Sequence, residues 1–322
     1  MIDLYGRDIN YLRISITDRC NLRCRYCMPD GISCVPMEEI LTYEEMERIA
    51  ACASALGIRH IKVTGGEPLV RKDCTHLIKR LKNIPGIETV TLTTNGVLLF
   101  EYIEELKKAG VDGINISLDS VRPEIYQEIT GRDELSKVLD GISESLRYGI
   151  PTKVNGVSLG GKYSGEWRGL VELARKWPLD VRFIELMPIG LGKKCPSQDN
   201  RKLLRDISAE YGKPIPELGQ RGYGPAVYYR IPGFQGKIGF ISAIHGKFCS
   251  SCNRVRLTSQ GYLKTCLCYE NGVDLRQIIR QGAEDEVLQE AIREAVGRKP
   301  AAHCFENLPE ITEKKNMYCI GG

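Results

Sequence analysis

Between Tyr11 and about Met187 the chain alternates short, apolar, β-rich runs with longer amphipathic helical runs. That rhythm restricts the possible folds more than any single motif. The β-rich runs are 11–16, 61–64, 89–93, 113–118, 152–157 and 180–185, and helical patterns lie between them at 42–56, 73–81, 100–108, 135–148 and 165–177. Thr42 with Glu45 makes a capping box for the first helix, and Gly57, Gly110 and Gly149 stand where C-terminal caps are expected. Six strand–helix units in a row predict parallel strands joined by right-handed crossovers. Six fall short of the eight that close a full barrel. The expected fold is therefore α/β, an incomplete (β/α)6 TIM-type barrel whose ligands gather at the C-terminal strand ends. Past Met187 the pattern changes to a helix near 202–211 and Gly/Pro-punctuated strands at 226–231 and 237–244. A division near 222–225 gives a core of 1–222 and a smaller α+β domain of 223–322.

Charge and cysteine usage narrow the function. A net charge of +4 over 322 residues is too weak for a nucleic-acid surface. The first residues show no basic segment leading into an apolar run, and no stretch has the apolar length to cross a bilayer. A cytoplasmic chain is expected, without membrane contact. There thirteen cysteines, an odd number, read as metal ligands rather than a disulfide framework.

Two cysteine sets stand out. Cys20, Cys24 and Cys27 form C-x3-C-x2-C in the loop after the first strand. Three thiolates on so short a loop can converge on a cubane cluster that normally takes four, leaving one iron open. Zinc would require a fourth ligand nearby, and this loop has none. Cys249, Cys252 and Cys266 form C-x2-C-x13-C, with Cys268 or His245 available as a fourth ligand. Spacing alone leaves zinc and iron–sulfur equally open at this second set.

The strands also carry charge. Arg13 shares a strand face with Tyr11 and Ser15, Lys62 with Thr64, and Lys153 with Asn155. A cation within a parallel strand is costly unless it faces a ligand or partner. Several on different strands predict an anion site inside the barrel.

The first cysteine loop, with Tyr26 before its third cysteine, resembles the radical S-adenosylmethionine superfamily, and so does Gly65-Gly66-Glu67-Pro68 after the second strand. The resemblance implies a [4Fe–4S] cluster on Cys20, Cys24 and Cys27, with S-adenosylmethionine held near Tyr26, Gly66, Ser117 and Met187. Alternation sets Met187 on the face opposite Arg182, but Pro188 signals that the strand has ended. The run from Phe248 to Thr258, the segment Arg13–Met28 and the terminal Ile320-Gly321-Gly322 resemble, more narrowly, the GTP 3′,8-cyclase family of molybdenum cofactor biosynthesis. That likeness runs from about Asp3 to Gly322 and implies a second [4Fe–4S] cluster on Cys249, Cys252 and Cys266. It further implies GTP contacts from Arg13, Lys62, Thr93, Lys153, Arg182, Arg254, Val255 and Arg256, and catalytic support from Gly321 and Gly322. The partners it implies are a reductant and the downstream cyclic pyranopterin monophosphate synthase, and a symmetric homodimer is the default for such enzymes.

Lys62 stands where that family usually has Arg, and 160–165 differs from the usual loop. Cys34, Cys52, Cys74, Cys195 and Cys304 match no ligand position and read as small buried residues. A peptide-modifying radical enzyme with an auxiliary cluster is the alternative reading, and a zinc-containing binding module the non-enzymatic one.

Overall fold

The computed structural model describes residues 1–31, 35–219 and 222–321, so Cys34 and Gly322 lie outside the described residues. The barrel part contains, in order, β1 (Tyr11–Ser15), α1 (Tyr43–Ala55), β2 (His60–Thr64), α2 (Cys74–Lys82), β3 (Thr89–Thr94), α3 (Leu99–Ala109) and β4 (Gly113–Ser117). It continues through α4 (Pro123–Thr130), α5 (Leu135–Arg147), β5 (Thr152–Val157), α6 (Trp167–Lys176) and β6 (Asp180–Ile184). All six expected strands are present, and β6 ends before Met187. Thr42 and Glu45 form the reciprocal capping box that opens α1. Gly110 caps α3 at φ +80°, a left-handed conformation that a side chain would strain.

The rest comprises α7 (Asn200–Tyr211), β7 (Ile215–Pro216), β8 (Val227–Arg230), β9 (Ile238–Ile241), β10 (Arg254–Leu257), β11 (Tyr262–Lys264), β12 (Gly272–Asp274), α8 (Leu275–Arg280) and α9 (Asp285–Gly297). Its strands join the barrel's sheet at both edges. The order is β12-β11-β10-β1-β2-β3-β4-β5-β6-β9-β8-β7, with β10 parallel to β1 and β9 parallel to β6. Eight parallel strands thus stand side by side, and β9 and β10 do not pair, so the barrel stays open.

Period-two alternation assigns the two faces of this sheet. Leu12, Ile14, Ile61, Val63, Val90, Leu92, Ile114, Ile116, Val154, Val181, Phe183, Val255 and Leu257 point outward into one continuous apolar core beneath the helices. The opposite positions are polar. Arg256, Arg13 and Lys62 are register partners across β10, β1 and β2. Thr93, Asn115 and Lys153 form a second row, and Ser117, Asn155 and Arg182 a third. Parallel strands covered on both faces ordinarily read as near-continuous apolar runs. Here the lumen is lined for a polar ligand instead. His60 and Tyr223 stack at its N-terminal end with ring centroids 3.3 Å apart.

Candidate active site

The first cysteine loop is held from two sides. The Gly66 N–H donates to the Thr17 carbonyl at 2.7 Å and the Glu67 N–H to that of Arg19 at 2.8 Å. A Cβ on Gly66 would lie 2.4 Å from the Arg19 oxygen and 2.7 Å from that of Asp18. The glycine pair therefore admits the cysteine loop's own backbone. Glu67 ties the turn to the end of β3: its carboxylate accepts from Thr94 Oγ1 at 2.7 Å and the Asn95 N–H at 2.6 Å. Burial lifts that carboxyl to about 7 despite these donors. Asn95 Nδ2 in turn reaches Cys20 Sγ at 3.7 Å.

Burial raises all three thiols of Cys20, Cys24 and Cys27, with Cys27 reaching about 12; Cys20 and Cys27 further disfavour ionisation of Cys24, and Cys20 that of Cys27. Left alone they stay protonated, whereas bound iron would replace the protons. Tyr26 donates to Asp119 Oδ2 at 2.7 Å, and Asp119 Oδ1 accepts the Val157 N–H at 2.7 Å, which fixes the loop to the end of β5. Ser117 lies exposed at the end of β4, while Met187 packs on a small apolar cluster built around Ile189, Phe305, Ile311 and Ile320.

The lumen gathers the cations. Arg13, Lys62, Lys153, Arg182, Arg254 and Arg256 act on one another electrostatically. Burial first, and the neighbouring positive charges second, push Lys62 and Arg256 well below their usual range. Burial also brings Arg13 down to about 10. Arg182 Nε donates to Asn155 at 2.8 Å, and Lys153 Nζ lies 3.1 Å from Tyr228 Oη and 4.0 Å from Asp180. Thr93 is half-buried on the same face. Val255 is the exception, since its side chain packs with the outward core and takes no part in this face.

Cys249, Cys252 and Cys266 meet beyond β10 and β11, near Arg256. Burial opposes ionisation of Cys252, but Arg254 and Lys299 outweigh it and bring this thiol down to about 7. The two possible fourth ligands turn elsewhere. His245 Nδ1 sits 3.0 Å from Glu185, and the Cys268 and Cys304 sulfurs lie 3.2 Å apart. A single zinc would draw its sulfurs to about 3.8 Å apart, from Zn–S bonds of about 2.3 Å. Among the described residues the only three ligand atoms all within 4.8 Å of one another belong to Glu185, Asp199 and His245. Neither cysteine set is drawn that tight, and three thiolates per set fit a cluster with one open iron. Glu185 Oε2 already accepts from the backbone N–H groups of both Ile244 and His245, which makes that group a structural knot.

The C-terminal tail runs between the two sets. Tyr318 and Cys319 lie beside Cys27, Ile320 is fully buried in the small apolar cluster, and Arg256 donates to the Gly321 carbonyl. Gly321 has φ +77°, and a Cβ there would lie 3.5 Å from the Ser15 side chain.

Comparison with known proteins agrees with this layout. The Radical SAM superfamily model matches residues 14–174, and the Molybdenum Cofactor Synthesis C model matches 179–305. The GTP 3′,8-cyclase of Clostridium perfringens (strain SM101 / Type A) is 44% identical over 325 residues, covering 100% of both chains. That of Syntrophomonas wolfei is 44% identical over 330 residues, again covering 100% of both. The chain belongs to the GTP 3′,8-cyclase family. Among solved structures, Streptococcus suis SuiB bound to S-adenosylmethionine matches this cyclase-family chain with a TM-score of 0.64. That match has 14% identity and covers 97% of this chain and 77% of SuiB, so it speaks for the fold alone.

Further residues surround these positions, and of them only Asn155 was named in the sequence, beside Lys153. Asn115 and Asn155 were legible as lumen positions from strand alternation. Asp119, Asn95 and Lys299 carry no sequence signal, because their roles depend on which loops meet.

Proposed function

We propose that this chain is a radical S-adenosylmethionine GTP 3′,8-cyclase of the lyase class, acting in the cytoplasm at the first step of molybdopterin biosynthesis. The observation that carries the reading is the buried cationic lumen running from the Cys20 loop to the Cys249–Cys266 set. A triphosphate matches that surplus of positive charge, and arginine forks bind its oxygens in pairs. With both clusters, S-adenosylmethionine and a reductant, the site would supply radical chemistry: one electron would cleave the cofactor to methionine and 5′-deoxyadenosine that carries off the ribose 3′ hydrogen of GTP, C3′ would bond to guanine C8 as the C8–N7 double bond opens, and a second electron with a proton would complete the product.

The chain's own residues do the rest. Cys20, Cys24 and Cys27 hold the first cluster, with Tyr26, Gly66, Ser117 and Met187 around the S-adenosylmethionine. Arg13, Lys62, Thr93, Lys153, Arg182 and Arg254–Arg256 hold the nucleotide in the lumen, Val255 through its backbone. Cys249, Cys252 and Cys266 would hold a second cluster, which with only three protein thiolates would leave one iron for the guanine. Gly321 and Gly322 would support catalysis from the C-terminal tail. A reductant, a downstream cyclic pyranopterin monophosphate synthase and a homodimeric state complete the proposal. A peptide substrate is not favoured, since the full-length relatives carry the cyclase name.

The test is anaerobic. Reconstituted, reduced protein should release 5′-deoxyadenosine from S-adenosylmethionine only when GTP is present; release indifferent to GTP keeps the superfamily and removes the substrate. A second expectation concerns the tail. Ile320 is its apolar anchor, and Ile320→Ala should weaken docking by about 2–4 kcal/mol. Turnover should then fall at least tenfold with iron content unchanged, as read by product assay and iron analysis.

A further inference from the structure

We infer that Lys299 is a positioning residue of the second cluster, holding two of its ligand segments together and setting its reduction potential. The inference rests on reading Cys249, Cys252 and Cys266 as cluster ligands.

A lysine just past the end of a helix is ordinarily exposed and merely complements the helix dipole. Lys299 follows α9 yet is only 3% exposed. Its ammonium donates to the Arg254 carbonyl at 2.9 Å and to the Thr265 carbonyl. Arg254 lies two residues after Cys252, and Thr265 immediately precedes Cys266. One side chain thus bridges both ligand-bearing segments. Its charge also acts on the Cys252 and Cys266 thiols, and its remaining proton reaches toward Cys252. A buried ammonium is costly without an anion beside it. Among the described residues no carboxylate is ion-paired with Lys299, which leaves the thiolates to balance it.

The surrounding chain fixes this arrangement. Arg7 Nη1 donates to the Cys249 carbonyl at 2.9 Å and to the Ala301 carbonyl at 3.0 Å, while Nη2 donates to the Pro300 carbonyl at 2.8 Å. Asp3 holds Arg7 through Nε at 2.6 Å, and the His303 N–H points at Cys249 Sγ at 3.5 Å. The turn after α9 therefore meets all three thiols, and Lys299 is its buried charge, since Arg298 turns out to the exposed Glu294. One-electron reduction adds negative charge to the cluster, so a fixed ammonium beside its thiolates stabilises the reduced form and raises the potential.

Two variants separate charge from hydrogen bonding. Lys299→Gln keeps donors for the carbonyls and loses the charge, whereas Lys299→Arg keeps the charge. Both are reconstituted anaerobically beside the wild-type chain, assayed for iron, and titrated with spin-resonance detection, the first cluster serving as internal reference. In K299Q the second cluster should become at least tenfold harder to reduce, about 59 mV lower for one electron, or should be lost while the first remains. K299R should restore the wild-type value. K299Q holding both clusters at wild-type potentials overturns the inference. Wild-type protein binding only about four irons overturns the two-cluster reading itself, and Lys299's role with it.

Discussion

Lys62→Met should weaken GTP binding about 10- to 100-fold, the value of one or two charge-assisted hydrogen bonds, and should stabilise the ligand-free protein. The opposition follows from where Lys62 sits. It is 7% exposed in the lumen, and the charges acting on it, from Arg182, Arg13 and Lys153, are all positive. Nothing in that set offsets its desolvation until an anion arrives. Methionine keeps the length of the side chain and removes the buried charge, so the ligand-free chain should melt a few degrees higher. The pH dependence has a defined sign. Lys62 is depressed in the folded state from 10.5, so between that lowered value and 10.5 the unfolded chain binds more protons. Ligand-free stability therefore rises with pH across this window, while GTP affinity falls because binding needs the ammonium. Lys62→Arg, which stays charged, should flatten the affinity profile. Titration calorimetry and thermal melts check both; a K62M protein that binds GTP normally would remove Lys62 from the substrate site.

The second large effect is expected from Gly66→Ala. One added methyl would meet the Arg19 and Asp18 oxygens at 2.4 and 2.7 Å, and both are backbone atoms that cannot rotate away. The loop leading into Cys20 must shift, so the three thiols lose their common geometry. Reconstituted G66A should keep about half the iron of the wild type, all of it at the second set, and should form no 5′-deoxyadenosine. Leu22 and Met28 remain within the buried structure, so the damage should stay local and melting should fall only modestly. Full iron loading with normal S-adenosylmethionine cleavage would show that the loop tolerates the methyl.

The parts of this fold that follow a local rule were readable in the sequence. The six barrel strands declare themselves by β-rich runs between amphipathic helices, and α1 by its capping box. The inward face followed from Arg13, Lys62 and Lys153 alternating with apolar neighbours. The C-terminal strands were not readable as barrel partners, because pairing of β10 with β1 and of β9 with β6 is non-local. Arg254-Val255-Arg256-Leu257 reads as a basic segment until β1 supplies Leu12 beside Val255 and Arg13 beside Arg256. Helices α4 and α9 were not among the expected elements: α4 is one short helix directly before another, and α9 buries Leu288, Ile292 and Ala295 at helical spacing beyond the last strand–helix unit. At the site, cysteine spacing gave candidate ligand sets but left zinc open at the second. The structure turns both possible fourth ligands to other partners, Cys268 to Cys304 and His245 to Glu185. Lys299 was invisible because nothing in its neighbours announces burial against two carbonyls.

The proposed reaction turns on one hydrogen. Anaerobic protein with both clusters, S-adenosylmethionine and GTP deuterated at C3′ should yield 5′-deoxyadenosine carrying the deuterium, together with a cyclised isomer of GTP. Unlabelled 5′-deoxyadenosine formed while C3′ keeps its deuterium would contradict the account, since the radical would then be quenched somewhere other than the atom the lumen is proposed to present.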